Sequence, residues 1–348
     1  MSFDLNSLLR SYVVGLQPYT SARDEFDTQT ESYVYLDANE NPYPNGVNRY
    51  PDPQQKELKK ILAQKLEVGA DKLLLGNGSD EVLDLIFRAF CEPNEDEILI
   101  MPPTYGMYKV LAEINQITLN KVPLDIDFQI DMKSLFKAIN SKTKAIFLCS
   151  PNNPSGNSFQ PNDIEDLLKE FNGIVVIDEA YIDFSDQNSW ATRLDDFPNL
   201  IVSRTLSKAY GMAGLRLGIC IASREIISAL NKIKPPYNIN TLTQERALEE
   251  LAQSDNYMKQ VDILLEERSV LSKQLQSIGF VEYVYPSDAN FLLVRVDDAD
   301  VRYSQLIQAG VVVRNRNKEY GCANCLRFTV GTPEENKKLI QSLSNIDL

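Results

Sequence analysis

Between about residues 70 and 225 the chain repeats one alternation, a short apolar run followed by an amphipathic segment. "KLLLG" leads to "SDEVLDLIFRAF", "EILIMPP" to "TYGMYKVLAEI" and "KAIFLCSP" to "PNDIEDLLKEF"; then come "GIVVIDEAY", "NLIVSRT" and "RLGICIAS". Short runs rich in Val, Ile and Leu fit strands buried on both faces, and the segments between them fit covering helices. The pattern predicts an α/β fold built on a mainly parallel sheet with helices on both sides. In the helix that opens at Ser79, residues Val82, Leu85, Ile86, Ala89 and Phe90 fall at i, i+3, i+4, i+7 and i+8, which makes one buried stripe.

After residue 235 the texture changes. "PPYNINTLTQERALEELAQ" and "DNYMKQVDILLEERSVLSKQLQSIG" read as helices, followed by "VEYVYP", "NFLLVRV", "DVRYSQLIQAG", "VVVRNR", "CLRFTVGT" and a final helix. This predicts a smaller α+β domain on a short sheet, with a large domain over 36–240 and a small one over 241–348. Residues 1–35 are too polar to bury much alone and are expected to pack on the small domain. Neither an internal repeat nor a low-complexity stretch is found.

Charge narrows the partners. With 49 acidic against 35 basic residues the net charge is −14, and no Lys/Arg block occurs, which argues against nucleic acid as a ligand. Any anionic ligand must be met by a local cluster of cations. The first residues, "MSFDLNSLLRSYVVGL", lack the apolar core of a signal peptide, and no run is long and apolar enough to span a membrane. The five cysteines (91, 149, 220, 322 and 325) are an odd number set mostly in apolar stretches, so a reduced, cytoplasmic protein is expected. "CANC" has metal or redox spacing but no histidine and no second pair to complete a site. Histidine is absent altogether, which removes imidazole as base, nucleophile or metal ligand.

In open parallel sheets ligands bind beyond the carboxyl ends of the strands. "LLLGNGSDE" gives a glycine turn at a helix N-terminus, suited to a phosphate or simply to a tight turn. "FLCSPNNPSG" sets two asparagines between prolines straight after a strand. "VVIDEAYIDF" ends an apolar strand on Asp178, with Tyr181 three residues on. A carboxylate there is costly unless paired with a cation or strong donor, although it also reads as a helix cap. "SRTLSKAYGMAGLRLG" supplies Lys208, Ser207 just before it, and Arg216. A lysine amine, an anion cradle, a buried acid and a tyrosine are what pyridoxal 5′-phosphate requires: a Schiff-base lysine, phosphate donors and a carboxylate facing its ring nitrogen.

The order "NENPYP", "GNGSDE", "PPTYGMY", "CSPNNPSG", "VVIDEAYIDF", "SRTLSKAYGMAGLRLG", "LRFTVGT" resembles the fold-type I, class II aminotransferases, and among them the histidinol-phosphate branch. The resemblance runs from about Tyr19 to Thr332. It implies that Lys208 bonds the cofactor and shuttles the proton, that Asp178 partners the ring nitrogen, and that Tyr181 and Asn153 bond the ring oxygen. It further implies that Tyr105 stacks on the ring and that Gly78, Ser79, Ser207 and Arg216 hold the phosphate. Tyr50 would reach the phosphate in a neighbouring subunit, so a homodimer is expected. Arg327 would take the α-carboxylate of glutamate, and Arg314 with Tyr19 the substrate phosphate, while Arg316 stands where a non-basic residue is expected. The implied reaction is amino transfer between histidinol phosphate and 2-oxoglutarate in histidine biosynthesis. A threonine-phosphate decarboxylase of corrinoid synthesis, an aminotransferase for aromatic amino acids, and a non-catalytic regulator on the same scaffold are the alternatives.

Overall fold

The computed structural model describes residues 3–21 and 33–347. The larger sheet comprises β1 (Leu73–Asn77), β2 (Glu97–Ile100), β3 (Thr118–Lys121), β4 (Thr143–Cys149), β5 (Ile174–Asp178), β6 (Leu200–Thr205) and β7 (Leu217–Ala222). Their order is β1-β7-β6-β5-β4-β2-β3. β2 to β6 run parallel, while β7 is antiparallel to both β6 and β1. The mainly parallel sheet is as expected, and the reversal at β7 has a simple cause. Only residues 206–216 join β6 to β7, with no α-helix among them to make a parallel crossover.

The unbroken apolar runs follow from burial on both faces. Along β5, Val175 and Ile177 enter one core and Ile174 and Val176 the other. Around this sheet lie α1 (Leu5–Leu8), α2 (Ser11–Gly15), α3 (Lys56–Leu66), α4 (Ser79–Phe90), α5 (Met107–Ile114), α6 (Met132–Ala138), α7 (Pro161–Glu170), α8 (Arg224–Ile233) and α9 (Thr241–Ala252). The predicted stripe of α4 is buried along its length.

The chain then enters the long α10 (Ser254–Leu275), which spans the two bodies: Val261 joins the first core, whereas Leu271 and Leu275 join a third. That third core lies under β8 (Val281–Val284), β9 (Phe291–Val296), β10 (Arg314–Asn315) and β11 (Cys325–Thr329), with α11 (Ala299–Gln308) and α12 (Pro333–Asp347). This sheet is antiparallel throughout, in the order β10-β11-β9-β8. α9 still gives Ala247 and Leu251 to the large core, so by packing the changeover falls within α10 rather than at residue 240. Arg268 fastens the seam by donating to the carbonyls of Phe184 (3.0 Å) and Ala289 (2.8 Å).

The amino-terminal segment departs from expectation. Its described part, residues 3–21, lies on the large body, not the small one. Leu9 and Val13 are buried in the core of α4 and α8, Arg10 N–H donates to the Ala89 carbonyl (2.9 Å), and Lys232 Nζ donates to the carbonyls of Val13 and Val14. A two-turn amphipathic segment buries its few apolar residues wherever a complementary groove is open, and its own sequence does not say where. Among the described residues no helix is long and apolar enough to cross a membrane, and no group of acidic or cysteine side chains has the makings of a metal site. All five cysteines are free and buried.

Candidate active site

The parallel strands deliver their chemistry at one edge. A cavity of ≈ 190 Å³ there collects Ser79, Tyr105, Asn153, Asp178, Tyr181, Ser207, Lys208 and Arg216, together with Asp80 and Cys149. Larger hollows of ≈ 490 and ≈ 580 Å³ open beside Tyr50 and Tyr19, but they share no residue with this edge of the sheet.

Lys208 follows β6 and points across the cavity, its ammonium 5.7 Å from the centroid of the Tyr181 ring. Its surface stays accessible through the mouth, yet the walls remove enough water to lower its pKa, and Arg327 and Arg216 push the same way against Asp178. Asp178 ends β5 and is 2% exposed. Burial pushes its carboxyl up to about 6, opposed by two donors: the Tyr108 hydroxyl at 3.0 Å on Oδ2 and the Ala180 N–H at 3.2 Å on Oδ1. Among the described residues no arginine is paired with this carboxylate, so it faces the cavity as an acid lacking a full cationic partner there.

Asn153, in the loop after β4, links two other groups. Its Nδ2 donates to the Tyr181 hydroxyl at 3.3 Å, and its Oδ1 accepts from Arg327 Nη1. Arg327 lies on β11 with its guanidinium 4.9 Å from the Phe291 ring centroid, and burial followed by repulsion from Arg316 lowers it to about 10. It remains a cation at neutral pH.

The anion side is built from backbone. Gly78 precedes α4 and places no capping side chain on its first turn, leaving those N–H groups for a ligand. Gly78 also has φ +82, and a Cβ there would come 2.6 Å from Arg216 Nη2; one at Gly218 would run into the backbone of Gly78 and Ser79. Arg216 adopts φ +52 and its Nη2 reaches Asp80 Oδ2 at 3.4 Å, while the other oxygen of Asp80 accepts the Tyr105 hydroxyl at 3.0 Å.

The aminotransferase class I and II family profile matches residues 33–343. This chain belongs to that family. The aminotransferase is 58% identical over 345 residues to the histidinol-phosphate aminotransferase of Christiangramia forsetii, covering 99% of each chain. It is 56% identical over 343 residues to that of Flavobacterium johnsoniae, covering 98% of each. Among solved structures it superposes on the histidinol-phosphate aminotransferase of Clostridium acetobutylicum with a TM-score of 0.79 at 26% identity, covering 86% of this chain and 91% of the other.

The remaining expected residues lie outside the cavity. Tyr50 is half exposed and stacks on Tyr237 with centroids 4.5 Å apart. Tyr19 is 72% exposed in a hollow shared with α8 residues such as Arg224, which has no residue in common with β10. Arg314 is exposed on β10, and Arg316 just beyond it donates to Glu319 Oε1 at 2.6 Å. Two residues that the aminotransferase brings to the site were not singled out from sequence. Asp80 is one, in the first turn of α4. Tyr108 is the other, three residues after Tyr105, whose ring it meets edge-on.

Proposed function

We propose that the cleft holds pyridoxal 5′-phosphate and that this aminotransferase exchanges an amino group between L-histidinol phosphate and 2-oxoglutarate, giving imidazole-acetol phosphate and L-glutamate in histidine biosynthesis. The observation that carries the reading is the convergence of Lys208, Asp178 and the Ser79–Ser207–Arg216 cradle in one cavity of a chain matched almost end to end by relatives of that name.

The residues fit the cofactor. The uncapped turn at Ser79, with Ser207 and Arg216, would hold its phosphate; Asp178 would face the ring nitrogen; Asn153 and Tyr181 would take the ring oxygen; Tyr105 would cover the ring. When bound, the cofactor supplies an electron sink for the substrate carbon that loses its proton. Asp178, dry and held by Tyr108 and Ala180, would keep a proton on a ring nitrogen facing it, since such a cation would be the partner its carboxylate lacks. Lys208, with its pKa lowered by burial, would give and take the migrating proton at Nζ. Arg327 would grip the α-carboxylate of glutamate, and Arg314, exposed opposite it on β10, would take the substrate phosphate; Tyr19, expected to aid Arg314, lines a separate hollow.

We further infer a homodimer in which Tyr50 serves the neighbouring site. Its ring stacks on Tyr237, and it lines a hollow with exposed Val47 and Leu242 that shares no residue with the Lys208 cavity. The buried free thiols favour the reducing cytoplasm. The deciding experiment is a half-reaction on the cofactor-loaded protein. Histidinol phosphate should bleach the bound cofactor's visible absorbance and 2-oxoglutarate should restore it. Release of CO₂ from threonine phosphate, with no bleaching by histidinol phosphate, overturns the reading.

A further inference from the structure

Tyr108 is buried completely, 70 residues from Asp178 in sequence, yet its hydroxyl donates to Asp178 Oδ2 at 3.0 Å. The ring cannot easily turn away. It stands edge-on to Tyr105 (5.6 Å between centroids, 87°) and lies against Phe147 of β4 (5.3 Å, 36°). The Ala180 N–H fixes the other oxygen, so Asp178 is held at both ends by uncharged donors, one from the start of α5 and one from its own loop. The charged and titratable groups around it are Asp80 on α4, Cys149 on β4, Tyr105 and Tyr181, and Lys208 across the cavity. Among these Asp80 favours a proton on Asp178 and Lys208 opposes it.

We propose that Tyr108 is a positioning residue that acts through Asp178: its hydroxyl aims the carboxylate at the cofactor's ring nitrogen and keeps it ionised, so the nitrogen retains its proton. This rests on the proposed cofactor reading. Three features support it. Burial holds the phenol itself far above its ordinary pKa, so it stays a donor across the working range. A neutral donor steadies an anion without cancelling the charge that the ring nitrogen must meet, as an arginine there would. And the packing that locks the ring is independent of the hydroxyl, so Tyr108→Phe keeps the shape and removes the bond to Asp178 together with the hydroxyl's weaker contact to the Cys149 thiol.

The test separates positioning from mere structure by deleting the ring nitrogen. Affinity is measured by fluorescence quenching for pyridoxal 5′-phosphate and for its 1-deaza analogue, which carries CH in place of that nitrogen, on cofactor-free wild type and Tyr108→Phe. The variant should bind pyridoxal 5′-phosphate about tenfold more weakly while binding the analogue as wild type does. In the loaded enzyme the acid limb of the half-reaction rate should also move to higher pH, because Asp178 takes up a proton more readily once a donor is lost. Equal losses for both ligands, or no loss for either, overturns the proposal. Failure of wild type to bind pyridoxal 5′-phosphate at all would instead remove the cofactor reading beneath it.

Discussion

Arg314 and Arg327 stand directly opposite each other across the antiparallel β10–β11 pair. Like charges in that register repel, and Arg316, two residues on, adds a third positive charge that Arg327 feels. Two of the three are occupied within the chain, Arg316 by Glu319 and Arg327 by Asn153. Such a cluster in a chain of net charge −14 is stabilised when an anion enters it.

Arg314→Gln is therefore expected to weaken turnover of histidinol phosphate by about ten to a hundredfold in kcat/KM, corresponding to a lost charge-assisted bond of about 1.5–3 kcal/mol. Histidinol, which lacks the phosphate, should be affected far less. Single-turnover rates with both amines make the comparison, and an equal loss for the two would move the phosphate contact to Arg316.

Lys208→Ala should keep the cofactor and lose the chemistry. The anion cradle at Gly78, Ser79 and Arg216 does not include Lys208, whereas the proton transfer does. Turnover should fall on the order of 10²–10⁴-fold, the usual worth of a general base, and further if the covalent bond to lysine also matters. Borohydride reduction of the wild type followed by peptide mapping should find the label on Lys208; a label on any other lysine would remove the assignment.

Much of this site was legible before the fold was known because it sits where a simple pattern ends. Asp178 terminates a run with no polar residue and is marked by contrast with its strand, whereas Lys208 is marked by the polar, glycine-studded segment that follows the apolar start of β6. What stayed hidden depends on contacts that local pattern does not encode. Tyr108 occupies an apolar helix position, and only the strand order brings β4 and β5 beneath it. β3 escaped as well, since an edge strand with half-exposed residues carries no apolar run to announce it. "VVVRNR" reads as a full strand, but pairing is confined to Arg314 and Asn315, leaving Val312 82% exposed.

Asp178 also sets a stability cost that can be measured without the cofactor. Burial raises its carboxyl from 3.8 to about 6, so between those values the folded chain holds a proton that the unfolded chain has released. Stability then falls as pH rises through this window and stays lower above it, by about 3 kcal/mol for this group alone. Glu179, raised from 4.5 to about 7, adds a similar slope, so the informative quantity is the difference between variants. Asp178→Asn should raise the melting temperature of the cofactor-free protein at pH 7 and lose the advantage below pH 4. The gain should be on the order of 1–2 kcal/mol, because the amide replaces the charge-assisted bonds from Tyr108 and the Ala180 N–H with weaker neutral ones. Activity should be lost at the same time, the trade expected where a site is held in a costly state. Denaturation of both proteins across pH 3.5–8 decides it.

The shared site gives the most demanding prediction. If Tyr50 acts in the neighbouring subunit, its substitution and that of Lys208 damage different halves of one site. In a hybrid of one Tyr50→Phe chain with one Lys208→Ala chain, one cavity has the intact Lys208 of the first chain and the intact Tyr50 of the second; the other cavity has both lesions. Mixing the two weakly active homodimers should therefore restore activity toward one functional site per hybrid. Because subunit exchange follows a binomial distribution when neither pairing is preferred, half of the dimers at equal mixing are hybrids, and recovered activity should approach a quarter of the wild-type value per chain. Within a single chain Tyr50 rests on Tyr237, away from Lys208, so the restored activity cannot arise from either parent alone. Native mass spectrometry establishes that exchange has occurred. No recovery once hybrids are present would show that Tyr50 does not complete a neighbour's site.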